Sequence, residues 1–332
     1  DEYNKFYLLA SQERHEYSRT VGKTATVRTN RLLNSYDYKK DSYGVGYLGN
    51  FENLNADVSY IYDQTKRTSL FDSLTPADVK NHNFNSKFST FLDSHTLTFG
   101  YDFSKQTTKT TFIVSNSSRS VLRNPKAYSM KEHAAFLEDE WEILDDKLYL
   151  TLGGRFTHNE FFDDHLSPRA YLVYNLTDNW TLKGGVATGY KTPNVNQISP
   201  EVGTIQGGWR IVDFGNADLK PEKSLTYEIG AYYDSGDDFR GSVTLFRNEF
   251  KDKILDTDGS SINRIPAFGS CATAPHVNCP GWGTYFNIDG ADVWGIELSA
   301  DYDILKNLNL RGNYTYNNSK IKTGDPTINT PN

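Results

Sequence analysis

The chain has 332 residues and a net charge of −7, from 35 Lys plus Arg against 42 Asp plus Glu. That balance argues against a nucleic-acid binder, which carries a basic surface. No run of about 20 apolar residues occurs, which excludes a helical membrane span. The polar mean hydropathy is compatible with a transmembrane barrel, where only alternate strand residues meet lipid and long loops dilute the average. Aromatic residues make up 14%, with 22 Tyr and 19 Phe against one Met, a mixture suited to strands and membrane interfaces.

The first residues, Asp1-Glu2-Tyr3-Asn4-Lys5-Phe6-Tyr7, already read as strand and not as a signal peptide, so the sequence is expected to begin inside the fold. Along 43–51, Tyr43, Val45, Tyr47, Gly49 and Phe51 share one face. A tight turn at Glu52-Asn53 follows, and Leu54, Ala56, Val58, Tyr60 and Tyr62 return. A polar stretch over 68–81 is expected to be loop. The pattern resumes with Phe84, Phe88 and Leu92, turns at Asp93-Ser94-His95, and returns through Leu97, Phe99, Tyr101 and Phe103.

A second long loop is expected over 107–127. Beyond it Leu137, Trp141 and Ile143 take one face and Glu138, Glu140 and Glu142 the other. After a turn at 144–146, Leu148, Leu150, Leu152, Gly154 and Phe156 alternate with Tyr149, Thr151, Gly153, Arg155 and Thr157. Side chains alternate across a strand, so this segment has one oily wall and one polar wall with a charge in its middle. A short loop at 162–165 leads to Pro168, Ala170, Leu172, Tyr174 and Leu176. After Thr177-Asp178-Asn179, Trp180, Leu182, Gly184 and Val186 go back. Long loops over 191–223 and 255–284 separate the last hairpins, which carry Leu225 to Leu245 and Trp294 to Tyr316.

The sum is about 14 strands of roughly 10 or more residues, the length an oblique crossing needs. Short turns alternate with long loops, as at the periplasmic and extracellular ends of an outer-membrane barrel. A propeller or β-helix would show a fixed repeat, which the uneven loop lengths contradict. The fold class is therefore all-β, an antiparallel transmembrane β-barrel. Glu138, Glu140, Arg155, Lys183, Glu228, Glu297 and Arg311 fall on its inner face.

Cys271 and Cys279 lie among Pro, Gly and Asn in the last long loop. A local disulfide in an oxidising compartment is the simplest reading, contributing about 2–3 kcal/mol by loop closure. A metal site is the rival reading, but only His276 could join the pair. No nucleophile–base set, phosphate loop or metal cluster stands out, so no enzymatic activity is expected.

Several segments resemble TonB-dependent outer-membrane receptors. They are Phe136-Leu137-Glu138-Asp139-Glu140-Trp141, Ser167-Pro168-Arg169, Gly189-Tyr190-Lys191-Thr192-Pro193, Gly215-Asn216-Ala217-Asp218-Leu219-Lys220-Pro221-Glu222-Lys223-Ser224, Tyr227-Glu228-Ile229-Gly230 and Trp294-Gly295-Ile296-Glu297. The resemblance covers nearly all of 1–332. It implies a receptor in a Gram-negative outer membrane that imports a ferric siderophore, with no cofactor of its own. The TonB–ExbB–ExbD complex would supply energy by pulling on an N-terminal plug. A complete barrel of this kind has about 22 strands. No plug, TonB motif or closing aromatic strand is recognised, so 1–332 reads as part of a larger barrel. The lumen charges are expected to pair with that plug or with neighbouring strands.

Within the family, Thr29-Asn30-Arg31-Leu32 and Tyr60-Ile61-Tyr62-Asp63-Gln64-Thr65-Lys66-Arg67 look like the ferric enterobactin and colicin I receptor group. The likeness makes Arg31 and Arg67 candidates for holding an anionic ferric catecholate. A second basic residue of that group falls at or near Asn34 here, a departure from its pattern. Guanidinium groups pair with such a chelate by charge and stack on its rings. The loops add Arg119, Arg123, Trp209, Arg210, Arg264 and Trp282. The bland alternative for each arginine is a solvated loop charge. Outer-membrane lipid and lipopolysaccharide are expected neighbours, and colicins and phages are candidate loop partners. Haem is the nearest alternative cargo, but 194–215 has no histidine. A passive porin would need a constricting charged loop and no Gly-Tyr-Lys-Thr-Pro element. An extracellular adhesion or carbohydrate-binding β protein would come free without detergent.

Overall fold

A computed structural model describes residues 4–17, 36–69, 77–110, 113–114, 121–122, 126–199, 203–206, 211–256 and 281–322. Its elements in chain order are β1 (Asn4–Tyr17), β2 (Tyr36–Phe51), β3 (Leu54–Ser69), β4 (Ala77–Leu92), β5 (His95–Thr110), the two-residue β6 (Ile113–Val114) and β7 (Val121–Leu122), β8 (Lys126–Leu144), β9 (Leu148–Asn159), β10 (Phe162–Asn175) and β11 (Trp180–Lys191). There follow α1 (Val195–Ile198), β12 (Gly203–Gln206), β13 (Ile211–Phe214), β14 (Glu222–Asp234), β15 (Phe239–Asp256), β16 (Gly281–Leu305) and β17 (Leu308–Lys322).

Among the described residues thirteen long strands, beside the expected 14 or so, form one antiparallel wall in the order β1-β2-β3-β4-β5-β8-β9-β10-β11-β14-β15-β16, with β17 on β16. Among the described residues β1 pairs only with β2 and β17 only with β16. A short addition, β12–β13, joins the upper end of β16 through a parallel pairing of β13. The wall is concave: one hollow of about 980 Å³ is lined by Asp57, Asn85, Asp102, Glu132, Arg155 and Arg169, from six successive wall strands.

The register sets the two faces. Leu148, Leu150 and Leu152 stand opposite Tyr174, Leu172 and Ala170. The row continues through Gly184–Ile229, Ile229–Leu245 and Leu245–Ile296. These side chains point away from the hollow: Leu152 is 52% exposed, Ile229 63% and Leu8 86%. Such a continuous apolar face on a soluble protein would be an aggregation or binding surface; a lipid-facing wall requires it. Buried apolar side chains among the described residues are few, namely Ala56, Ala134, Val195, Leu219, Ile288 and Ala291. A single-layer wall has no sandwich core to fill. No helix among the described residues is long and apolar enough to cross a membrane.

Aromatic residues edge the oily face. Toward the short turns lie Trp141, Trp180 against Tyr233 (4.9 Å) and Phe239 against Tyr302 (6.3 Å). Toward the long loops lie Tyr60, Tyr101 and Trp294 against Tyr316 (5.8 Å). This arrangement matches the paired girdles of a membrane barrel. The tight turns use Asp93 and Asp146 at φ of 52° and 57° and Gly236 at 81°. Those are left-handed positions that Asp tolerates and Gly adopts freely.

Three expectations are corrected. Strands run well past the oily band: β3 reaches Ser69, β4 starts at Ala77, β5 reaches Thr110, β8 starts at Lys126, β15 reaches Asp256 and β16 starts at Gly281. Above the band both faces meet water, so the ladder persists after the hydrophobic alternation has gone. The expected loop at 162–165 is strand, entered through an irregularity between Phe162 and His165. Finally, a register shift after Glu142 puts Leu144, 51% exposed, where Ile143 was expected to face out.

Candidate functional site

The inner wall carries the expected charges, and several are paired within the wall. Arg155 reaches Asp102 across β8 at 2.5 Å, and Arg169 reaches Glu138 at 2.5 Å. Tyr171 donates to Glu228 at 3.0 Å. Arg311 donates to Asp301 at 2.8 Å. The Tyr171 ring packs over Gly185, where any Cβ would strike it. The result is a polar, mixed-sign surface that favours a hydrated or protein filling over lipid.

Of the arginine candidates, Arg67 is described. It lies on the inner face near the long-loop end of β3, opposite Tyr38 and Ala77. Its Nε is shut off from water. Tyr38 faces His15 on β1 with ring centroids 6.3 Å apart. His15, Tyr38 and Arg67 therefore form one cross-strand row. Arg31, Arg119, Arg123, Trp209, Arg210 and Arg264 lie outside the described residues. So do Cys271 and Cys279, and with them the expected disulfide. Trp282 is placed by its backbone alone, opposite Val212.

The segments that carried the resemblance meet in a packed platform at the base of the long loops. After Pro193, 194–199 folds into α1, closed by a capping box: Asn194 Oδ1 accepts from Gln197 N at 3.0 Å, and Gln197 Oε1 accepts from Asn194 N at 2.9 Å. Val195, Pro193 and Asn159 are fully buried beside it. Glu132 accepts from Thr192 Oγ1 at 2.9 Å and from Asn159 Nδ2 at 3.1 Å. Asn216 N donates to Gln197 O at 2.6 Å, and Asn216 Nδ2 to Tyr285 O at 3.0 Å. Asn287 accepts from Lys220 N at 2.8 Å and donates to Lys220 O at 2.9 Å and Asp252 O at 2.6 Å. The platform thus ties β11, β14, β15 and β16 together above the band. Sequence reading found these motifs but not their joint task. The signal was available in the Asn, Glu and Lys residues shared among three separate loop bases.

Glu222 is its charged centre, with a side chain 14% exposed. Burial alone would raise its carboxyl pKa. The hydrogen bond from Lys191, the Ile254 N–H at 2.9 Å, and the charges of Lys191 and Lys253 outweigh that and hold it below its ordinary 4.5. A depressed carboxyl pKa gives stability that is present above 4.5 and lost as pH falls through the lower folded value. Amide hydrogen exchange should therefore show Ile254 protected at neutral pH and losing protection in acid. Glu222→Ala should lower that protection at neutral pH by about 10- to 100-fold, the range for a charge-assisted hydrogen bond of roughly 1.5–3 kcal/mol, and abolish its acid dependence.

Residues 3–332 match the family model for the β-barrel of TonB-dependent-receptor-like proteins. The iron-regulated outer membrane virulence protein of Vibrio cholerae is 32% identical over 293 residues, 87% of this chain and 41% of that protein. The ferric enterobactin receptor of Pseudomonas aeruginosa is 30% identical over 212 residues, 61% of this chain and 27% of that receptor. A crystal structure of a mutant of that organism's ferric enterobactin receptor PfeA superposes with a TM-score of 0.77 at 21% identity, over 95% of this chain and 49% of that one. The chain thus spans less than half the length of the curated relatives named here. With the two-faced wall, its girdles and the family match in agreement, this chain belongs to the TonB-dependent receptor β-barrel family of the Gram-negative outer membrane.

Proposed function

We propose that the chain forms the barrel wall of a receptor that imports a ferric siderophore of the catecholate type, driven through TonB, with a separate plug filling the hollow. The observation that carries the cargo class is the His15–Tyr38–Arg67 row, which offers a guanidinium and two rings at the loop end of the inner face. A ferric tris-catecholate is anionic with an aromatic rim, so it gains both from charge pairing and from stacking. The relatives named for ferric enterobactin support the same class. Arg31, Arg119, Arg123, Arg210, Arg264, Trp209 and Trp282 are proposed as loop contacts that close over the chelate. The family is one of transport receptors, and iron is held by the siderophore.

The deciding experiment is iron-limited growth of a deletion strain fed single ferric chelates. Rescue by a ferric tris-catecholate that is lost on deletion supports the proposal; dependence only on haem or a hydroxamate chelate overturns it. Arg67→Ala should cut uptake of the iron-55 chelate about tenfold at subsaturating concentration, equivalent to about 1.4 kcal/mol of binding. Unchanged uptake would remove Arg67 from the site.

A further inference from the structure

Two histidines meet on the outer face where the strands leave the oily band. His133 on β8 stands directly opposite His158 on β9, two residues along each strand from the Ala135–Phe156 pair. Their ring centroids are 6.2 Å apart with the planes at 40°. On one flank the Tyr101 hydroxyl of β5 lies 2.6 Å from His133 Nδ1, and on the other the Asp164 carboxylate of β10 lies 2.6 Å from His158 Nδ1. The strand order β5-β8-β9-β10 puts these two partners on opposite sides of the pair. The next outward-facing residue of β8 is the exposed Lys131, so the pair lies at the watery margin of the band.

The two nitrogens of an imidazole point to nearly opposite sides of the ring. With each Nδ1 drawn outward to its own flank, each Nε2 is turned toward the other ring. An ionised carboxylate only accepts hydrogen bonds, so neutral His158 keeps its proton on Nδ1 and a lone pair on Nε2. Among the described residues no other hydrogen bond engages either ring. Two acceptor nitrogens that face each other across a strand pair are unfavourable by themselves and favourable around a cation. The transport reading uses neither of them, and the two histidines come together only through the pairing of β8 with β9.

We propose that His133 and His158 bind one late divalent transition ion, zinc or copper, through their Nε2 atoms. Imidazole suits these ions. A ligating histidine whose Nδ1–H is held by an oxygen is also the arrangement that orients metal-bound imidazoles, and Tyr101 and Asp164 supply it here. An ion about 2.0–2.1 Å from each ring nitrogen lies about 3.2 Å from each ring centre, so two ligating rings stand at most about 6.4 Å apart. The observed 6.2 Å falls inside that span. A tetrahedral angle brings the centres to about 5.2 Å, a shift of about an ångström that the half-exposed His133 and the exposed His158 can make. Among the described residues no group of three His, Cys, Asp or Glu forms a metal site, so water fills the remaining positions. The adjacent rung of the ladder is Glu132–Asn159, part of the platform, and a bound ion would brace it from the outer side. The inference rests on the strand register and not on the cargo.

The test titrates zinc into the complete receptor, free of any histidine tag and in neutral detergent, with calorimetry as readout. His133→Gln and His158→Gln should each weaken one zinc equivalent by about tenfold or more, because two linked ligands act together. The double variant should bind that equivalent no more than about twofold more weakly than either single one. His82→Gln should behave as wild type, since His82 stands between Tyr62 and Lys105 with no second histidine opposite. Asp164→Asn should weaken the site about tenfold, and this change at an exposed position keeps the proposal open to refutation if a histidine variant does not fold. Copper bound in place of zinc should give an electron paramagnetic resonance signal coupled to two nitrogens, which either single variant removes. Zinc binding unchanged in His133→Gln or His158→Gln would overturn the proposal. So would losses that simply add in the double variant, or an Asp164→Asn receptor with wild-type zinc affinity.

Discussion

Ile229→Arg should destabilise the folded receptor by about 2–4 kcal/mol, the cost of arginine on a lipid face at the bilayer midplane. Ile229 is the middle residue of the oily stretch of β14, is 63% exposed, and stands between Gly184 and Leu245. None of these can solvate a guanidinium. Thr244→Arg, one strand away on the inner face and opposite Gly230, should cost less than about 1 kcal/mol, because that side chain enters an aqueous or protein-filled space. Leu152→Arg should fall between the two. Asp139 stands directly opposite Leu152 on the outer face and could partner the new charge. Urea unfolding in vesicles, with the heat-modifiable gel band as readout, measures all three. Equal costs for Ile229→Arg and Thr244→Arg would refute the assignment of faces.

Asp139 also shows where sequence reading stopped short. The alternation at Leu137 and Trp141 was legible, but the acid between them looks like an error in the pattern until its partner is seen. His95, at the start of β5, lies 2.9 Å from Asp139 and stacks on Trp141 at 5.6 Å. A cross-strand neighbour 44 residues away in sequence supplies what the local pattern lacks. The oily band, the short turns and the inward placement of Glu138, Arg155, Glu228 and Arg311 were readable because a period of two survives any local irregularity. The strand extensions were not, since above the membrane both faces are polar and pairing rests on the backbone ladder and on polar cross-strand contacts such as Arg14–Asp37 and Gln64–Asp78, which leave no apolar alternation to read. The pairing of β13 with β16 was likewise invisible. It joins segments from two different loops in parallel, and neither segment alternates for long enough to register.

The platform explains why recognisable motifs sit where no ligand contact was assigned, and it yields the second large effect. Asn287→Ala should loosen the bases of three loop-bearing strands at once. The side chain satisfies Lys220 N–H, Lys220 C=O and Asp252 C=O, and Asp252 is held at a left-handed φ of 52°. An alanine leaves these backbone groups without partners, at about 1–3 kcal/mol for each one that water cannot reach. Partial rehydration makes about 2–4 kcal/mol of local destabilisation the expected result. The wall below, paired residue by residue from Lys251–Gly290 to Phe239–Tyr302, should keep its global unfolding midpoint. The prediction is therefore a split. Protease cutting near 215–222 and 251–256 should rise by about 30-fold or more, equivalent to roughly 2 kcal/mol, and chelate uptake should fall with it, while urea unfolding of the barrel stays within about 0.5 kcal/mol of wild type. Asn216→Ala, which removes the side-chain hydrogen bonds to Tyr285 O and from Asp218 N in the same assembly, should add less than its own full effect in the double variant, because residues sharing one network are not energetically independent. A fully additive pair would mean that the motifs act as separate caps, and that the loops of this receptor are not carried on a common base.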